Sequence, residues 1–256
     1  MLNKKFIFAG DSFTWGQGLQ YYGEFNDIKI MPSNHYVKEF LTDEHVDFIK
    51  KNRYSKIVAN HLNKVDIVKD ENGGSDFESI EFIKNNIDEN VEYVLLQTTQ
   101  PFRSPYRYFY KGEEKWLDGS NLHDNNHKLK EFKEYLIEEK INIDDWLYDL
   151  KKQIVLNIKD LAIYLDNRNI KFNIISWTND YLNLIKNDEL LSKKFLNLEY
   201  GGYTFSCFDT LFSMYPYMTI HKDYEFFGEG KTMPDHHMGL TGHKTIADII
   251  LKNITS

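Results

Sequence analysis

Cysteine is almost absent: Cys207 is the only one in 256 residues. No internal disulfide can form, and no thiolate cluster is available for zinc or an iron–sulfur centre. Cys207 itself reads as a small buried hydrophobe. Proline is scarce, with five residues, and no stretch rich in Pro, Gly or Ser marks a linker. A single domain over residues 1–256 is therefore expected. No apolar run approaches the roughly 20 residues that span a bilayer. Behind Lys4 and Lys5 stand only about four apolar residues, short of the roughly 7–15 of a secretory segment, so a cytoplasmic location is expected. Cationic excess is missing too. With 31 basic against 39 acidic residues the net charge is -8, which disfavours non-specific nucleic-acid binding and offers no basic surface for a membrane. What remains is ordinary for a globular chain: 41% hydrophobic and 27% charged residues, enough for a substantial core.

The order of the patterns is informative. Phe6-Ile-Phe-Ala9 is short, β-prone and closed by Gly10, predicting a buried strand that ends in a loop. Helical spacing marks residues 54–62 and 77–87, and most of all 144–167, where Trp146, Leu150, Ile154, Ile158, Leu161 and Leu165 recur every three or four positions. Residues 64–69, 91–97 and 171–177 read as strands, and residues 241–254 as a closing helix. Strands that alternate with helices predict a parallel sheet covered on both faces, an α/β class protein, with its ligand site at the carboxyl ends of the strands. Residues 21–52 and 104–143 fit the alternation badly and read as insertions. In the second, PYRYFYKGEEKW (Pro105–Trp116) clusters aromatic residues with Arg107, Lys111 and Lys115. It reads either as a sugar-stacking platform or as a partly buried insertion.

Two segments can carry chemistry. Gly10-Asp11-Ser12-Phe13 follows the first strand directly. A serine entering a helix there is well placed as a nucleophile, with backbone N–H groups at hand for an oxyanion. Asp11 or Ser12 equally suits a helix cap. At the other end stands PDHHMGLTGH (Pro234–His243). Serine needs a base, the base is usually histidine, and a carboxylate must hold its tautomer. Asp235 and His237 are two apart just before a helix, so one loop can present both. His236 and His243 read as a solvent-facing residue and one that packs near the last helix. A metal set from Asp235, His236, His237 and His243, or from His123 and His127, lacks supporting spacing, and no metal or organic cofactor is expected. Gly16-Gln-Gly18 lacks the G-x-G-x-x-G order and no GK[ST] occurs, so a nucleotide site is not expected.

Together these segments resemble the GDSL/SGNH hydrolase family. GDSFTWGQGL (Gly10–Leu19) is similar to its first block, NGGSDFESI (Asn72–Ile80) to the second, and DHHMGLTGH (Asp235–His243) to the last. The resemblance implies a flavodoxin-like three-layer α/β/α sandwich with a parallel sheet of about five strands. It also implies a serine esterase: Ser12 as nucleophile, His237 as base, Asp235 as its orienting acid, and the N–H groups of Ser12 and Gly74 in the oxyanion hole. One block departs. Where the family carries Gly-x-Asn-Asp, this chain has LLQTTQPFR (Leu95–Arg103). Asn179-Asp180 follows the next strand and belongs to another loop. Thr98, Thr99 or Gln100 is left to replace the asparagine side chain, whose loss costs on the order of 10²–10³ in rate. Arg103 is placed to bind an anionic or polyhydroxyl substrate. Asp11 borders the same site, chiefly organising its turn.

The activity implied is hydrolysis of an O-acetyl or other short acyl ester on a carbohydrate. A catalytically impaired carbohydrate-binding protein, an acyltransferase and a lipid esterase or thioesterase are the alternatives. Analogy of fold does not choose among them.

Overall fold

The computed structural model of the chain describes residues 4–23, 41–69, 74–117, 127–219 and 237–255. Its first strand, β1 (Lys5–Ala9), is apolar on both sides because both sides are covered: Ile7 and Ala9 enter one core, Phe6 and Phe8 another. A single helical turn, α1 (Ser12–Trp15), and a 3₁₀ turn (Leu19–Tyr22) follow. Helices α2 (Asp43–Asn52) and α3 (Tyr54–His61) lead to β2 (Val65–Val68). Next, α4 (Asp76–Asn86) starts at a reciprocal cap. Glu78 N–H donates to Ser75 Oγ at 3.2 Å and Ser75 N–H to Glu78 Oε2 at 2.6 Å. It returns the chain to β3 (Val91–Thr98).

Residues 104–143 add a hairpin of β4 (Tyr106–Tyr110) and β5 (Glu113–Leu117), then α5 (His127–Glu138). Strand alternation splits the aromatic cluster between two environments. Tyr108, Tyr110 and Leu117 are buried, Tyr108 lying 5.1 Å from Phe132 ring to ring, while Phe109 and Trp116 face outward. The long α6 (Ile143–Asp166) buries the periodic stripe read from the sequence, and β6 (Lys171–Ser176) follows it. The remaining elements are α7 (Leu182–Asn187), a small hairpin of β7 (Leu198–Tyr200) and β8 (Tyr203–Phe205), α8 (Phe208–Met214) and α9 (Leu240–Thr255).

The main sheet is parallel in the order β2-β1-β3-β6. Among the described residues it has four strands, where about five were expected. A fifth edge position is touched only at the parallel bridge Ile174–Phe195, where Leu196 N–H donates to the Ile174 carbonyl at 2.8 Å. The chain then turns into the β7–β8 hairpin, so this pairing ends after the bridge. Helices α4, α6 and α7 pack on the face carrying Ile7, Val94, Leu96 and Ile174. Helices α3, α8 and α9 pack on the face carrying Phe8, Tyr93, Leu95 and Ile175. The architecture is thus a three-layer α/β/α sandwich. Among the described residues no helix is long and apolar enough to cross a membrane.

Strand order decides where a site can form. From β1 the chain moves to β2 on one side, then crosses to β3 on the other. The order therefore reverses between β1 and β3, which opens a crevice at their carboxyl ends. Ser12 follows β1, and Thr99 to Arg103 follow β3, so both segments face that crevice.

Candidate active site

The turn after β1 is built by close approach. A Cβ at Gly10 would meet Thr14 Oγ1 and stand 2.8 Å from Gln97 Cβ, so only glycine fits. Asp11 then caps α1, accepting from Phe13 N–H at 3.0 Å. Ser12, 3% exposed, opens the helix. Its Oγ lies 2.7 Å from His237 Nε2 across 225 residues of chain. His237 is held from below: Met238 pairs with Thr219 in an antiparallel bridge, and Gly239 N–H donates to the Met218 carbonyl at 2.8 Å. From the side, the Phe13 ring packs on the imidazole with centroids 5.0 Å apart. A serine hydroxyl and an imidazole nitrogen at this distance can exchange a proton, provided Nδ1 carries the other one. The first and last sequence segments are thus brought together. Asp235 and His236 lie outside the described residues.

Asp11 organises the nucleophile turn from inside the protein. It is fully buried and accepts three more hydrogen bonds: from Gln97 Nε2 at 2.7 Å, Thr99 Oγ1 at 2.9 Å and Arg103 NH1 at 3.1 Å. Four donors suit a carboxylate, and they hold it within the protein. Arg103 is engaged by the same contact and also lies over the Trp177 ring, 4.8 Å from its centroid. Its side chain remains 21% exposed.

The third loop commits most of its polar side chains inward. The register sets Thr98 opposite Ser176, and its hydroxyl donates there at 2.8 Å. Thr98, expected as an oxyanion donor, thus points into the sheet. Gln97 and Thr99 hold Asp11. Gln100 is different. It lines a cleft of about 530 Å³ together with Trp177, Asp209, Phe212, Ser213, Pro216 and Thr219. The buried Phe13 ring packs between a wall of that cleft and the base, 4.9 Å from Trp177 and 5.0 Å from His237. Asn179 serves elsewhere, accepting from Ser206 Oγ at 3.2 Å. Gly74 stands just before the Ser75 cap of α4, and a Cβ there would collide with the ammonium of Lys69.

Sequence reasoning missed a second buried carboxylate. Asp76, in the first turn of α4, accepts from Thr99 N–H at 3.0 Å and from the Tyr181 hydroxyl at 2.9 Å. Burial pushes its pKa up to about 7, against the lowering effect of those hydrogen bonds. Thr99 thereby bridges Asp76 and Asp11. Its side chain alone carries no motif, and only the meeting of three loops reveals it. His243 packs within the core as expected. Its Nδ1 accepts from Tyr54 N–H at 3.1 Å, and burial depresses its pKa to about 3, which keeps it neutral. Among the described residues no group of three metal-ligating side chains forms. His123 lies outside them.

No protein-family model and no curated protein matches the sequence. The chain is similar to a solved structure from Desulfitobacterium hafniense DCB-2, described as a lipolytic protein of the G-D-S-L family. That match has 11% identity and a TM-score of 0.43, over 98% of this chain and 99% of that one. A second similar structure is a carbohydrate esterase whose active site is described as displaying divergent catalytic and non-catalytic binding functions. Here identity is 12% and the TM-score 0.45, over 99% of this chain and 68% of that one. The sheet order β2-β1-β3-β6 is that of a flavodoxin-like three-layer sandwich, and the Gly10-Asp11-Ser12 turn follows its inner strand β1.

Proposed function

We propose that the chain is a serine esterase that cleaves a short acyl ester, most specifically an O-acetyl group on a carbohydrate. The observation that carries the reading is the 2.7 Å contact between Ser12 Oγ and His237 Nε2 at the switch point of the sheet. His237 accepts the Ser12 proton as Oγ attacks the ester carbonyl, then returns it to the leaving alcohol. Water, deprotonated by the same nitrogen, cleaves the acyl-enzyme. Asp235 orients His237. The Ser12 and Gly74 N–H groups and the Gln100 carboxamide receive the oxyanion. Gln100 is preferred because Gln97, Thr98 and Thr99 are committed to Asp11 and Ser176. The carbohydrate part of the reading draws on the cleft beside Phe13, where Trp177 and Phe212 supply flat apolar walls and Gln100, Ser213 and Thr219 supply polar edges.

Labelling with a fluorophosphonate, followed by location of the modified peptide by mass spectrometry, tests the nucleophile. Label is expected on Ser12, absent in Ser12→Ala and strongly slowed in His237→Ala. A short-chain aryl ester is hydrolysed in parallel. Folded wild-type protein that takes no label at Ser12 rules out the esterase.

A further inference from the structure

The loop after β3 holds an arginine that touches two segments of the site and reaches a third through aromatic rings. The Arg103 guanidinium donates to Asp11 Oδ2 at 3.1 Å, and Asp11 caps the helix that begins with Ser12. Its flat face lies 4.8 Å from the Trp177 centroid, at the end of β6. Trp177 packs on Phe13 at 4.9 Å, and Phe13 packs on His237 at 5.0 Å. One planar cation thus ties the nucleophile turn to an aromatic column that ends on the base. A guanidinium suits this because it donates in its plane and stacks through its face at once; an ammonium on a flexible stem does one or the other. The Asp11 carboxylate is fully buried, so the pairing also satisfies a charge that water cannot reach.

We infer that Arg103 is a positioning residue: it holds Asp11 and Trp177 in the arrangement that keeps Ser12 and His237 aligned. This rests on the esterase reading above and extends it to a residue that touches neither the reacting atoms nor Ser12. The segment from Gln97 to Arg103, where the resemblance implies an asparagine at the oxyanion, here spends Gln97, Thr99 and Arg103 on the Asp11 carboxylate. Its contribution is to brace the nucleophile turn.

The test compares Arg103→Ala and Arg103→Lys with the wild type, using a short-chain aryl ester and the rate of fluorophosphonate labelling at Ser12. Misalignment of reacting groups by about an ångström costs on the order of 10²-fold in rate. The alanine variant should lose about that factor in kcat and in labelling, with KM nearly unchanged. Lysine should not restore it, and added guanidinium ion at millimolar concentration should restore part of it. A rise in KM at constant kcat would instead make Arg103 a substrate contact and overturn the inference, as would labelling at the wild-type rate. Should Arg103→Ala lose its cooperative unfolding transition, Arg103→Lys carries the same comparison. Wild-type protein without label at Ser12 overturns the esterase reading and this one together; equal labelling of wild type and variants overturns this one alone.

Discussion

A few atoms at Gly10 decide whether the turn after β1 can form. Glycine is required there by contact, because any side chain would enter the space held by Thr14 and Gln97. Thr14 Oγ1 donates to Gln97 Oε1 at 2.7 Å, so neither group can retreat without losing a buried hydrogen bond. Gly10→Ala is expected to destabilise the chain by about 1–3 kcal/mol through overpacking, seen as a lower urea midpoint at unchanged slope. A midpoint equal to the wild type would mean that the turn relaxes freely. The same dense contacts explain why Ser12 is 3% exposed yet reaches His237. Its hydroxyl emerges beside Phe13, the apolar wedge between the base and the cleft.

Elements place these atoms through their ends. The start of α4 positions both Gly74 and Asp76, and its register depends on the Ser75–Glu78 box. Ser75→Ala removes the acceptor for Glu78 N–H and should cost about 1 kcal/mol, measurable by thermal or chemical unfolding. Labelling at Ser12 should persist in this variant, because the nucleophile turn is built by β1 and β3. Long elements are legible in the sequence itself. The stripe from Trp146 to Leu165 is buried along α6 because its 3.6-residue spacing keeps one face on the sheet. Elements in the segment that reads as an insertion carry shorter signals: Leu129, Phe132 and Leu136 recur at helical spacing along α5, and Tyr106, Tyr108 and Tyr110 alternate along β4, but both patterns are brief and flanked by charge. A core is nonetheless made there, by Tyr108, Phe132 and Trp146 packing edge to face.

Across the whole molecule, two buried titratable groups give opposite responses to pH. Asp76 has a native pKa raised to about 7 from 3.8, so the native state holds a proton that the unfolded chain has lost. Its contribution to stability is full below 3.8 and disappears as pH rises through 7. His243 has a native pKa lowered to about 3 from 6.5, so the unfolded chain takes a proton that the native state refuses. Its contribution is present above 6.5 and is lost as pH falls toward 3. Between about pH 4 and pH 6.5 the two oppose each other. Asp76→Asn should therefore lose stability more steeply than the wild type on acidification through that window, and His243→Gln less steeply, in urea titrations across the range. Parallel curves for wild type and both variants would show that neither group changes its protonation on unfolding.

Local order in the chain is enough to read the α/β class, the strand at Phe6–Ala9 and the strongly periodic helices, whereas the pairing of Ser12 with His237 comes only from the resemblance of its end segments to a known family. Periodicity reports burial along one element, and the residue types at its end report the chemistry offered there. Contacts between loops far apart in sequence are beyond such a reading. Asp11 can be read as a cap but not as the acceptor of Gln97, Thr99 and Arg103 from 86 to 92 positions away. Thr98 and Gln100 are indistinguishable as oxyanion donors until the register opposes Thr98 to Ser176 and leaves Gln100 on the cleft. The fifth strand shrinks to one bridge because the chain leaves the β6 edge for a hairpin. Pairing partners of this kind are chosen by the closing of the sheet and its covering helices, a property of the assembled layers and of no single segment.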